Sequence, residues 1–171
     1  MAIELSAEAR AAFRDNGTVK ALASADTKGV PHLAFKDSLR LRADGLIEYR
    51  EYIESSATNR NMTAAIWFGI PVSVALLAPD KRSFLIRGNV VRAIIAGREF
   101  RRHYEDIRRR PGDFDLSTVW LIEPEHEREN TLAKRKAEEE QAHPLLRHVD
   151  RLLTEKIRER ASIYWAKSLK K

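Results

Sequence analysis

Between Ser55 and Asn61 the chain reads Ser55-Ser56-Ala57-Thr58-Asn59-Arg60-Asn61, a polar loop of hydroxyls, amides and one guanidinium. These groups suit a phosphate. Hydroxyls and amides donate to its oxygens, and a guanidinium donates in pairs. The residues that follow read as a helix start, whose free N–H groups and dipole favour an anion. The same residue types also serve as helix caps, with Thr58 or Asn59 closing the first turn. Both readings place the loop at a helix entrance; they differ in whether an outside anion completes it.

The remaining chemistry is sparse. The chain has no cysteine, which removes disulfides, thiolate metal sites, iron–sulfur clusters and thiol nucleophiles. His32, His103, His126, His143 and His148 lack metal-site spacing, and no metal is expected. Gly-x-Gly-x-x-Gly, Walker, Gly-x-Ser-x-Gly and His-Glu-x-x-His patterns are absent. On a strand, Glu48 and Glu54 would share a face and Glu51 would lie on the other; all three are expected at the surface. Arg108-Arg109-Arg110 suits the negative end of a helix dipole.

The elements that must position the loop follow from periodicity. Ser6 as N-cap, Glu8 in the first turn, the alanines Ala9, Ala11 and Ala12, and the stop Asn16-Gly17 predict a helix over residues 6–16. From Thr18 the period changes to two, with Val19, Ala21, Ala23 and Ala25 on one face and Lys20, Leu22 and Ser24 on the other. Asp26-Thr27-Lys28-Gly29 is a hairpin turn, and Pro31 begins the return strand. Leu39–Arg42 and Leu46–Tyr52 flank a second turn, Ala43-Asp44-Gly45. Residues 61–67 read as one or two helical turns ended by Gly69 and Pro71. Val72–Leu77 and Ser83–Ile95 flank Pro79-Asp80-Lys81, Gly97–Arg110 reads as helix, and Leu116–Ile122 as a last strand. Short strands and tight turns point to a barrel or sandwich, with closure favoured because it removes unpaired edges.

The 171 residues suit one domain plus an extension, and 43% hydrophobic residues supply a core. The start of the chain lacks a signal-peptide pattern and no apolar run reaches membrane-span length, so a cytoplasmic protein without membrane contact is expected. The net charge of +6 is uneven: residues 1–130 carry 20 Lys and Arg against 19 Asp and Glu, whereas residues 131–171 carry 11 against 6. Arg128–Gln141 is a charged helix with little apolar stripe. From Pro144, Leu145, Val149, Leu152, Leu153, Ile157, Ala161 and Tyr164 recur at helical intervals. This basic tail reads as solvated helix faces around an apolar seam, so nucleic acid is not the expected partner. It remains a third-ranked function, through the tail.

The ordered segments Thr18–Asp26, Gly29, Pro31-His32, Phe35-Lys36-Asp37-Ser38-Leu39, Ile47-Glu48-Tyr49, Ser56, Thr58-Asn59, Asn61-Met62, Ile70–Val74 and Ile86–Val90 resemble the pyridoxamine 5′-phosphate oxidase-related, FMN-binding split-barrel superfamily. The resemblance covers about residues 17–125. It implies a mainly β fold, a six-stranded antiparallel split barrel with peripheral helices, to which the chain's own periodicity adds a helical C-terminal arm. The expected division is a barrel domain over residues 1–125 and a helical extension over 126–171. It also implies a homodimer with FMN in clefts between subunits. Lys36, Asp37 and Ser38 would face Ser56, Thr58, Arg60 and Asn61 across the phosphate, with Lys36 as main cation. Tyr49 and Arg50 would line the same cleft, and Trp67 would flank the ring system. Lys36 as an ordinary strand lysine, and Ile66-Trp67-Phe68 as core, stay open beside this. The oxidase proper has an Arg-rich second strand, a Ser-Arg-Lys loop and a substrate-binding C-terminus, which this chain lacks, so pyridoxamine phosphate is not the expected substrate. The implied function is an FMN-dependent oxidoreductase in which no side chain acts as nucleophile. The alternative is a non-catalytic flavin or haem carrier or sensor.

Overall fold

The computed structural model describes residues 2–112 and 114–143. The amphipathic helix expected from Pro144 to Tyr164 lies outside the described residues. The order is α1 (Ala7–Arg14), β1 (Val19–Ala25), β2 (Pro31–Phe35), β3 (Arg40–Leu41), β4 (Ile47–Glu51), α2 (Ala57–Phe68), β5 (Val72–Leu77), β6 (Ser83–Ile94), α3 (Gly97–Arg108), β7 (Thr118–Glu129) and α4 (Leu132–Ala142). The chain divides after Thr131 into two units; α4 belongs to the second, and its described side chains include none that is buried. Among the described residues no helix is long and apolar enough to cross a membrane.

One antiparallel sheet has the order β2-β1-β5-β6-β7-β4-β3. It has seven strands, not six, because Arg40–Leu41 pairs with Ile47–Glu48 as a short strand of its own. Its two edges, β2 and β3, are consecutive in the chain. Six inter-strand spacings would hold the edges of a flat sheet roughly 29 Å apart, whereas the Lys36–Leu39 connection spans at most roughly 17 Å. The sheet must therefore curl until its edges approach, which makes a split barrel. The connection is pinned at both ends: Lys36 N–H donates to the Lys20 carbonyl (2.9 Å) and Ser38 Oγ donates to the Arg50 carbonyl (2.8 Å).

The main core joins Leu22, Ile47, Tyr49, Val72, Val74, Leu76, Phe84, Ile86 and Ile122 to Phe13 of α1 and Met62 of α2. α1 is placed by its own cap and by β7: Ser6 Oγ accepts from Ala9 N–H (3.1 Å), and its hydroxyl donates to Glu127 (2.5 Å). A smaller cluster, Ile94, Ile107, Leu116, Val119 and Leu121, forms under α3. β7 runs from Thr118 through Pro124 to Glu129, beyond the expected strand end at Ile122. Pro124 is tolerated because it pairs with Gly88 beside a bulge of β7, in which Glu125 is the extra residue and the ladder is already irregular. Gly88 is required there: a Cβ would stand 2.3 Å from the Glu123 carbonyl oxygen.

Candidate functional site

β4 ends where the barrel opens. Its residues are buried on both faces, Tyr49 in the core and Glu48 and Arg50 beneath α3. This corrects the expectation that Glu48 and Glu51 are surface groups; each is only 3% exposed. Alternation located the two faces of the strand, but α3 and the Lys36–Leu39 connection are what cover them. Glu48 is held by Arg40 Nε at 2.6 Å and Arg50 Nε at 3.2 Å, with His103 Nδ1 at 3.7 Å. Arg50 also donates to Asp106 at 2.6 Å.

A cleft of about 430 Å³ opens beside the end of β4. One wall is Lys36, Asp37 and Ser38; the floor is Tyr49, Arg50 and Glu51; Phe35, Tyr52, Ile53 and Phe114 supply apolar and aromatic surface, and Arg110 a third cation. Lys36 Nζ sits 5.0 Å from the centre of the Tyr49 ring and 3.8 Å from Glu51 Oε2, a cation held by both a π face and a carboxylate.

Glu51 is the hub of the cleft floor. Its Oε1 accepts from the backbone N–H groups of Tyr52 (3.0 Å) and Ile53 (3.1 Å). Its Oε2 accepts from Ser56 Oγ (2.7 Å) and from the Tyr49 hydroxyl. Burial by itself would raise the Glu51 pKa, but the bonds from Tyr49, Ser56 and the Ile53 N–H, with the Lys36 charge, hold it below the usual carboxylate range. The same arrangement pushes the Tyr49 phenol far up, through burial first and then its bond to Glu51.

The polar loop divides its duties. Ser56, not Thr58 or Asn59, is the N-cap of α2, accepting from Asn59 N–H at 2.9 Å. Asn59 Oδ1 accepts from Trp120 Nε1 (3.0 Å), which ties α2 to β7. Thr58, 1% exposed, meets His32 Nε2 at 3.1 Å, and Asn61, 6% exposed, donates to Ser24 Oγ at 3.2 Å; both join α2 to β1 and β2. Arg60 is exposed and donates to the Ser55 carbonyl (2.5 Å). Trp67 is 77% exposed at the far end of α2, outside the cleft lining, while Ile66 packs on the core.

Of the candidate residues, then, Lys36, Asp37, Ser38, Tyr49 and Arg50 share the cleft, and Ser56 reaches its floor through Glu51. Thr58, Arg60, Asn61 and Trp67 have other surroundings. Phe35, Glu51, Tyr52, Ile53, Ile107, Arg110 and Phe114 also line the cleft, none of them among the candidate site residues. Only Glu51 carried a signal, an acid lying between the Lys36 strand and the hydroxyl loop.

Phe35 also belongs to a second feature. Outward residues Leu33 and Phe35 of β2, Val19 of β1, Leu77 of β5 and Leu85 of β6 are exposed on adjacent strands, forming an apolar sheet face that begins at the cleft.

No protein-family model and no curated protein matches the chain. Solved structures do. HupZ of Group A Streptococcus matches with a TM-score of 0.61 at 18% identity, over 75% of this chain and 95% of that one. An FMN-binding protein from Syntrophomonas wolfei subsp. wolfei matches with a TM-score of 0.58 at 15% identity, over 72% and 84%. A protein described as a candidate pyridoxamine 5′-phosphate oxidase from Lactobacillus delbrueckii matches with a TM-score of 0.53 at 17% identity, over 73% and 93%. At these identities what is shared is the fold.

Proposed function

From the split-barrel fold that this chain shares with pyridoxamine 5′-phosphate oxidase-like proteins, we propose that it binds FMN in the Lys36–Glu51 cleft and works as a flavin-dependent oxidoreductase. The observation that carries this reading is the cleft itself, in which aromatic and apolar side chains stand beside Lys36, Arg50 and Arg110 where the sheet edges meet. The donor set fits a flavin ring: Phe35, Tyr52, Ile53 and Phe114 give flat apolar surface, and backbone near Asp37 and Ser38 gives polar atoms for the ring rim. Lys36 and Arg110 offer charge to a phosphate. Flavin, when bound, supplies electron and hydride transfer to a small-molecule donor or acceptor. The protein's part is to hold the ring, exclude water from one face and set the local charge; Tyr49, kept protonated, and Lys36 are the groups fixed nearest the floor.

The apolar face running from Phe35 over β1, β5 and β6 supports a homodimer, because a contiguous exposed patch of this kind is a mark of association. A second copy seated there would border the cleft at Phe35 and close it. The purified full chain is expected to carry visible flavin absorption, or to acquire it on titration with FMN, and to sediment as a dimer. Colourless protein that does not quench FMN fluorescence overturns the flavin reading; a monomer at micromolar concentration overturns the shared site.

A further inference from the structure

We propose that Glu51 decides what part of a flavin this cleft recognises: its carboxylate fills, from inside the protein, the anion seat made by Ser56, the Tyr52 and Ile53 N–H groups and Lys36, so the ring is bound and a phosphate adds little. The proposal rests on the flavin reading above and narrows it to ligands chosen by ring, with riboflavin and FMN taken nearly alike.

The argument is a count of donors. An anion arriving between the Lys36 strand and the start of α2 would need the Ser56 hydroxyl, the two backbone N–H groups at the end of β4 and the Lys36 ammonium. The hydroxyl and both N–H groups already point at Glu51, at 2.7, 3.0 and 3.1 Å. Each of these groups has one proton to give, so none is left for a second acceptor. The Tyr49 hydroxyl also donates to Glu51. Thr58 and Asn61, which could have replaced them, are buried against His32 and Ser24 instead.

Of the four groups in this seat, Lys36 alone has protons to spare, because an ammonium carries three. A phosphate that approached it would lie within a few ångströms of a buried carboxylate 3.8 Å from the same nitrogen. Repulsion from the carboxylate opposes attraction to the ammonium in the same partly buried setting, which takes away much of what Lys36 can give a phosphate. Arg110 adds less than Lys36, since its side chain is 54% exposed, where solvent and salt screen its charge, and Asp106 stands 3.6 Å from it. Glu51 is buried and its acceptor positions are all filled, so swinging it away would strip four donors at once.

The test is a fluorescence titration of the purified full chain with riboflavin and with FMN, on the wild type, Glu51→Gln and Glu51→Ser. The Glu51→Gln side chain keeps its length and can still pair with the N–H groups and hydroxyls while losing the charge. The wild type is expected to bind the two flavins within about threefold of each other, and both variants to bind FMN about tenfold or more tighter with riboflavin little changed. A wild type that prefers FMN over riboflavin by more than about tenfold, with the ratio unmoved in Glu51→Gln, overturns the proposal and leaves the flavin reading standing. Binding of neither flavin overturns both. If the variants fail to fold by circular dichroism, the wild-type ratio alone decides.

Discussion

At the scale of single residues, the cleft floor balances a buried carboxylate against a half-buried ammonium. Lys36 is the cation that the sequence picks out; Glu51 is the anion that meets it at 3.8 Å. Lys36→Ala is expected to weaken FMN binding about tenfold while changing riboflavin much less, because it removes an attraction and leaves a carboxylate unopposed; parallel titrations read the difference. The Glu51 pKa is depressed in the folded chain, so its contribution to stability is fully present above the pKa of an unfolded glutamate, about 4.3, and is lost as pH falls through the lower folded value. Urea denaturation of Glu51→Gln at several acidic pH values should therefore give a shallower loss of stability than the wild type. An equally steep loss would mean that Asp44 and Glu99, whose pKa values are also lowered, by Arg42, account for the acid limb.

At the scale of elements, the two ends of β4 and α2 are fixed by local devices. Ser56 both caps α2 and donates to Glu51, so Ser56→Ala removes a cap worth about 1 kcal/mol and one of the four carboxylate donors. Its denaturation midpoint should fall and its α2 amides should exchange faster, with β5 and β6 unaffected. The β6–β7 pairing depends on a backbone approach. Gly88→Ala puts a methyl 2.3 Å from a carbonyl oxygen, and a loss of more than about 2 kcal/mol is expected by chemical denaturation. Ser6 as cap of α1 and the turn at Asp26–Gly29, with Gly29 at φ 81°, were legible because each depends on groups within a few residues. The cap of α2 was not: Ser56, Thr58 and Asn59 all qualify by type, and the geometry of β4 chose among them.

At the scale of the whole molecule, the consecutive β2 and β3 lie at opposite edges of one sheet, and the short link between them curls that sheet. The cleft sits along this link and the apolar outer face starts beside it, so Phe35 belongs to both. Phe35→Asp is expected to turn a dimer into a monomer and to weaken flavin binding about tenfold in the same variant, read by sedimentation and titration on one sample. Loss of one property without the other would separate the cleft from the association face.

The sequence by itself determined the strand runs, their hairpin turns, α1 and its N-cap, the stop of α2 at Gly69 and the segments that flank the cleft, because these follow from alternation, φ preference and bonds that reach only a few residues. It also named Lys36 and Ser56. Tertiary structure decided which face of β1 turned inward, putting Leu22 and Ser24 in and Val19 out. It sent Thr58 and Asn61 to β1 and β2, and it drew Lys36, Tyr49 and Ser56 onto Glu51. Those outcomes depend on strand order and curvature, which join residues far apart in the chain; residue types and their spacing leave that order open.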